Sequence, residues 1–170
     1  MGLTSTQVGV IGENLLINEI MKASEGRLAP FQPMADDDGL DVLFYDKITG
    51  NSVAVQLKCR RAALKSARTK KPGNTIHFEV RKATLKEARQ AYLVGALFNP
   101  EITEFLATWL VPLDQLQKIA RSTPTKFVIR PSKSEESQDR FVSFRCSNIV
   151  ELARRIIDLC EAKEGAKSKA

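Results

Sequence analysis

What this chain of 170 residues lacks narrows its chemistry before any motif is read. It has one histidine, His77, so His-based acid–base pairs and Cys/His zinc sites drop out, and a structural role on a strand beside Phe78 is the expectation. Cys59, Cys146 and Cys160 show no metal-ligand spacing, and an odd count suits a reducing cytoplasm better than a disulfide framework. No apolar run approaches the roughly 20 residues of a membrane span. Met1 to Ser5 lacks the basic start of a secretory signal. There is no phosphate-binding P-loop, no GxSxG elbow and no HExxH helix. With no internal repeat and no linker, the expectation is a single domain over residues 1–160, followed by a polar, disordered tail over 161–170.

What is present is a soluble composition with a localised charge. The hydrophobic fraction is 43%, the charged fraction 27% and the net charge +6. The segment Lys58 to Lys71, KCRRAALKSARTKK, holds seven basic residues and no acid, and the remainder is nearly balanced at 19 basic against 20 acidic. A dense positive stretch suits phosphate backbones, and Arg60, Arg61, Lys65, Arg68, Lys70 and Lys71 are the residues expected to grip one. Its alternative is a solvated loop.

Directly before that stretch lies the segment Asp36 to Lys58, which reads as two strands around a tight turn at Thr49-Gly50-Asn51. If Asp46 faces Asn51, the register places Asp41 opposite Gln56, with Cβ atoms roughly 5 Å apart on one face. Asp41, Gln56 and Lys58 then converge, with Leu40, Val42, Val55 and Leu57 on the other face. A carboxylate, an amide oxygen and an ammonium suit a hard cation such as Mg²⁺ beside a phosphodiester.

At these residues, G-L-D…Q-L-K, the chain resembles the PD-(D/E)XK nuclease superfamily, in its Gln-containing D…QxK form. The resemblance covers roughly residues 5 to 111. It implies that Asp41 and Gln56 bind Mg²⁺ or Mn²⁺, with the Leu57 carbonyl as a further ligand and Glu13, in Gly12-Glu13-Asn14, holding a second ion or a water. It also implies that Lys58 orients the nucleophile or stabilises charge. Gln56 departs from the commoner Glu, which removes a negative charge and weakens metal affinity. Asp38, in the acidic run before the hairpin, is a weaker candidate ligand than Asp41.

Along the chain, Thr4 with Gln7 predicts a capping box for a helix to about Ser24, stopped by Gly26. Val8, Ile11, Leu15, Leu16 and Ile20 form its buried arc, with Glu13 at the shoulder. Leu28 to Pro33 is extended, Thr75 to Val80 a strand and Lys82 to Gln90 a short helix. Ala91 to Phe98 is a strand buried on both faces, and Ile102 to Val111 a further strand whose Trp109 packs in the core or at its rim. Pro112 opens a helix, Lys126–Arg130 and Phe141–Phe144 form an added hairpin, and Asn148 with Glu151 starts a last helix. The fold expected is α/β, a three-layer sandwich with a central mixed β-sheet, restriction-endonuclease-like. The function expected is metal-dependent hydrolysis of DNA by a cytoplasmic endonuclease, with RNA as an alternative substrate and a homodimer for cutting two strands. The alternatives are a nucleic-acid-binding module that no longer cleaves, or a subunit whose basic loop meets an acidic partner.

Overall fold

The computed structural model describes residues 2–34, 39–65, 70–71, 73–85 and 90–167, with side chains as far as Lys163 in the last helix. Helix α1 spans Ser5–Ala23 and opens on the capping box: Gln7 N donates to Thr4 Oγ1 at 3.2 Å and Thr4 N to Gln7 Oε1 at 2.9 Å. It ends before Gly26, whose φ of 75° reverses the chain. Then follow β1 (Leu28–Phe31), β2 (Val42–Asp46), β3 (Ser52–Arg60), β4 (Phe78–Arg81), β5 (Ala91–Phe98) and β6 (Phe105–Pro112). A short α2 (Leu116–Ile119), β7 (Arg121–Ser122), β8 (Lys126–Ile129), β9 (Arg145–Cys146) and α3 (Ile149–Lys167) complete the chain.

Six strands form the central sheet in the order β1-β2-β3-β5-β6-β9, antiparallel except for the parallel β3–β5 pair. The mixed sheet follows from this pair, because its connection, residues 61–90, leaves the sheet and returns. One face is covered by α1 and α3, with Leu16, Ile20, Leu152 and Ile156 packed on Phe44, Val53, Val55 and Leu57. The other is covered over β5 and β6 by a second sheet, β4-β8-β7, where Phe78, Phe127 and Ile129 pack on Leu93, Leu97 and Trp109. The result is the three-layer α/β arrangement expected. Trp109 is a core residue, 1% exposed and edge-on to Phe78.

Several local expectations are corrected. Phe141–Phe144 does not pair with β8, whose edges are taken by β4 and β7. Instead Val142–Phe144 winds into a 3-10 turn after Asp139, whose Oδ1 accepts from Phe141 N at 2.7 Å. The strand at Thr75 starts only at Phe78, Thr75 itself making an isolated bridge to Ser132. Of the helix expected over 82–90, a 3-10 turn covers Lys82–Thr84, and residues 86–89 lie outside the described residues. The polar residues from Glu161 onward are helical as far as Lys167, since Glu, Ala and Lys are strong helix formers and Lys163 Nζ donates to Ser52 O at 2.8 Å. Residues 168–170 lie outside the described residues.

Candidate active site

The hairpin that carries the site closes as its turn residues require. Asp46 N donates to Asn51 O and Gly50 N to Asp46 O, each at 2.9 Å, with Gly50 at a φ of 71°. The ladder then runs Tyr45↔Ser52, Phe44↔Val53, Leu43↔Ala54 and Val42↔Val55. One step further, this register brings Asp41 against Gln56, just beyond the regular pairing of β2. There Asp41 N donates to Val55 O at 3.0 Å and the Asp41 Oδ2 accepts from Leu57 N at 2.5 Å. The carboxylate is therefore tied to the backbone between Gln56 and Lys58.

Alternation along β3 separates packing from chemistry. Val53, Val55, Leu57 and Cys59 enter the core beneath the helices, which leaves Ala54, Gln56, Lys58 and Arg60 on the opposite face. Leu40 is a correction, since it packs with Ala54 on the second cluster rather than with Val42 on the first. It precedes β2, where the chain has left the pleat. Gln56 is only 6% exposed, and its Oε1 is buried with no hydrogen-bond donor among the described residues. A buried amide oxygen left in that state costs on the order of 1–3 kcal/mol. Lys58 is half-buried and registers with Gly95 on β5, where a Cβ would come within 2.7 Å of the Phe78 ring. That glycine lets the second sheet dock beside Lys58 and wall one side of the site.

Glu13 reaches β3 from the other face. A Cβ on Gly12 would lie 2.4 Å from the Phe98 ring and 3.0 Å from Cys59 Cβ, so α1 is seated on β3 and β5 through its glycine. This seat rolls the helix relative to the arc expected: Gly12 and Ile17 are buried while Ile11 is 41% exposed. Glu13 then falls within the inward face, between Ile20 and Ile17, rather than at its shoulder. Burial and then the charge of Glu13 push the Cys59 thiol up to about 12, with Asp41 acting in the same sense and Lys58 opposing. Cys59 itself is a neutral packing residue and no nucleophile. A glycine inside an apolar helix pattern was the available signal for this close approach.

The basic segment divides. Arg60 is half-buried: its Nε donates to His77 O at 2.9 Å and its Nη1 to Cys59 O at 3.0 Å, which ties β3 to the segment leading into β4. Arg61, Lys65, Lys70 and Lys71 are exposed, on a loop pinned by Leu64 N to Thr75 O (2.7 Å) and Gly73 N to Leu64 O (2.9 Å). Arg68, Asp36, Asp37 and Asp38 lie outside the described residues. Among the described residues, no group of three or more His, Cys, Asp or Glu could hold a metal. The oxygen donors at the hairpin end are instead the Asp41 carboxylate, the Gln56 amide and the Leu57 carbonyl, a set that fits a hard cation and leaves the orphaned Gln56 Oε1 a role.

No known family's sequence profile matches this chain, and no curated protein matches it by sequence. Among solved structures, the chain is similar to a bacterial homing endonuclease, with a TM-score of 0.60 at 17% identity, over 98% of this chain and 99% of that one. It is also similar, at a TM-score of 0.45 and 14% identity, to a Holliday junction resolvase from the archaeal hyperthermophile Archaeoglobus fulgidus, over 81% of this chain and 96% of that one. The first likeness establishes the architecture: the fold is the restriction-endonuclease-like three-layer α/β one.

Proposed function

We propose that this protein is a Mg²⁺-dependent endonuclease that hydrolyses phosphodiester bonds in DNA, Mn²⁺ serving in the same site. The observation that carries this reading is the buried Gln56 Oε1, without a donor among the described residues, on the residue next to Leu57, whose N–H holds the Asp41 carboxylate, and two residues from Lys58. A structural amide at 6% exposure would normally have both ends satisfied. An oxygen held ready for a cation explains its state.

In this reading Asp41 supplies the anionic ligand, held in position by the Leu57 N–H, and Gln56 and the Leu57 carbonyl supply neutral oxygens. Glu13 holds a second ion or a water from the α1 side. Bound there, Mg²⁺ supplies Lewis acidity and an activated water. Lys58 places a cation beside the scissile phosphate, where it orients the attacking water or stabilises the charge that builds on the phosphoryl oxygens. Arg61, Lys65, Lys70 and Lys71 hold the backbone on the loop that follows β3, while Arg60 supports the strand. One site per chain requires two copies to cut both strands of a duplex, so the working form is a homodimer. The site sits in a cytoplasmic protein on this reading; among the described residues, no helix is long and apolar enough to cross a membrane.

The experiment is a cleavage assay on duplex, branched and single-stranded DNA and on RNA, with Mg²⁺ or Mn²⁺ against EDTA. Cleavage that needs the metal and disappears in Asp41→Asn, with binding retained, is the expected result. Binding without cleavage on every substrate would make the protein a nucleic-acid-binding module. Cleavage persisting in Asp41→Asn would move the chemistry elsewhere.

A further inference from the structure

The third layer turns a second basic surface to solvent, apart from the loop after β3. In the β4-β8-β7 sheet, Phe78, Val80, Phe127 and Ile129 point into the core. The residues between them face outward: Glu79 and Arg81 on β4, Lys126 and Val128 on β8, and Arg121 on β7 across from Val128. Arg81 stands directly across the ladder from Lys126. Glu79 neutralises Lys126, which leaves Arg81, among the described residues, as the uncompensated cation at this end of the ladder.

The nearby acids balance only one of these cations, Lys126. Glu79 is engaged by Lys126 Nζ at 2.5 Å and by His77 Nε2 at 3.1 Å. Asp139 accepts from Ser132 N, Ser137 Oγ and Phe141 N, which holds it to its own loop. Between β7, β8 and that loop lies a groove of about 630 Å³, lined among others by Arg121, Arg130 and Arg140, all exposed. Arg140 uses Nη1 on Ile119 O at 3.1 Å, and Arg121 makes no side-chain bond among the described residues. These are arginines, whose planar fork matches a phosphate.

The groove is joined to the candidate site. Arg60, on the same face of β3 as Lys58, donates to His77 O. His77, with Nε2–H toward Glu79, leaves Nδ1 to accept from Arg130 Nε at 3.4 Å. One histidine thus orients an arginine on either side of it, and cationic groups run from Lys58 to the groove along one side of the central sheet.

We infer that the outer face of the β4-β8-β7 sheet is a second phosphate-backbone surface, which holds duplex DNA flanking the step at Asp41 and Lys58. Its place beside a cutting site rests on the nuclease reading; its chemistry does not. The test measures binding in EDTA to duplexes of about one and about three helical turns, across a salt series. Arg81→Gln, Arg121→Gln and Arg130→Gln combined should weaken the longer duplex about tenfold or more and lower its salt slope by about two to three, since each phosphate neutralised adds about 0.9 to that slope. The shorter duplex should change far less, and lysine at the same three positions should restore most of the affinity. Should the triple variant unfold, Arg121→Gln alone, at an exposed position that bonds none of the described residues, should lower the slope by about one. Unchanged affinity and slope in a folded variant would overturn the proposal, as would a wild type that binds neither duplex. So would loss of self-association with DNA binding intact, which would assign the face to a protein partner. Length-dependent binding of the predicted kind without cleavage in Mg²⁺ would sink the nuclease reading and leave this surface standing.

Discussion

The hairpin contains an acid and an amide in facing positions twice, and the two pairs have opposite fates. At the turn, Asp46 is fully buried opposite Asn51. Its carboxylate accepts from Arg27 Nε and Nη2 at 2.8 and 2.7 Å, from Ile48 N at 3.1 Å and from Thr49 Oγ1 at 2.9 Å. The Asn51 amide donates to Cys160 O at 3.0 Å. At the other end, Asp41 takes the Leu57 N–H and the facing Gln56 keeps a buried oxygen with no donor among the described residues. The first pair closes the fold, because its carboxylate and its amide are both spent on neighbours. The second leaves a buried acceptor without a donor among the described residues, the feature on which the proposed ion site rests.

The largest effect that separates the pairs is on cleavage. Asp41→Asn should drop the cleavage rate to background, with the melting temperature little changed. Lys58→Ala should lower it by on the order of 10²–10³-fold, the scale of losing one group that stabilises transition-state charge. Single-turnover kinetics at saturating protein measure both. A mutant at Asp46 with the same kinetic defect but an intact fold would erase the distinction.

Next comes stability. Asp46→Ala leaves Arg27 facing a buried gap and should lower the melting temperature by on the order of 10 °C, while cleavage below the transition is retained. The pair also fixes a pH window. Arg27 above all, with the Ile48 N–H and the Thr49 hydroxyl, lowers the Asp46 carboxyl to about 2 from an ordinary 3.8. A depressed carboxylate contributes stability that is complete above its unfolded value and lost as pH falls through the folded one. The decline in stability between about pH 4 and 2 should therefore be shallower in Asp46→Ala than in the wild type, read from melting temperatures across that range.

A smaller effect concerns the loop. Arg61→Gln, Lys65→Gln, Lys70→Gln and Lys71→Gln together should weaken DNA binding similarly for all sequences. The salt dependence should flatten by about 0.9 for each phosphate no longer neutralised. Smallest of all is Gln56→Glu, which adds a charge at the ligand position and should retain activity or raise it by a few-fold at low Mg²⁺, read from the metal dependence of the rate.

Much of this was legible in the sequence because β-hairpins are local. Turn residues at 47–50 set the register, and period-two alternation then placed Gln56 and Lys58 on one face of β3. The unbroken apolar run at 91–98 marked a strand covered on both sides. What escaped was set by packing between segments distant in sequence. The roll of α1 depends on Gly12 meeting Phe98, and a helical wheel scores glycine as neither inside nor outside. The pairing of β8 with β4, rather than with residues 141–144, joins segments that are far apart in the chain and carry no shared turn signal. The second basic face was hidden by balance, since its arginines are interleaved along the chain with acids, of which Glu79 pairs with Lys126 and Asp139 is held to its own loop. Arg60 looked like its neighbours in charge, and only the position of His77 O shows that it also ties two segments together.

The central claim is that Gln56 Oε1 is held for a cation, and thermal unfolding with and without Mg²⁺ tests it most directly. A ligand that binds only the folded state raises its melting temperature by mass action. The wild type should melt higher as Mg²⁺ is raised, by an increment absent in both Asp41→Asn and Gln56→Met. In EDTA, Gln56→Met should melt at or above the wild type, because the buried oxygen is gone. A Gln56→Met protein that keeps the full Mg²⁺ increment, or that melts well below the wild type in EDTA, would show that the amide oxygen serves the fold and not an ion.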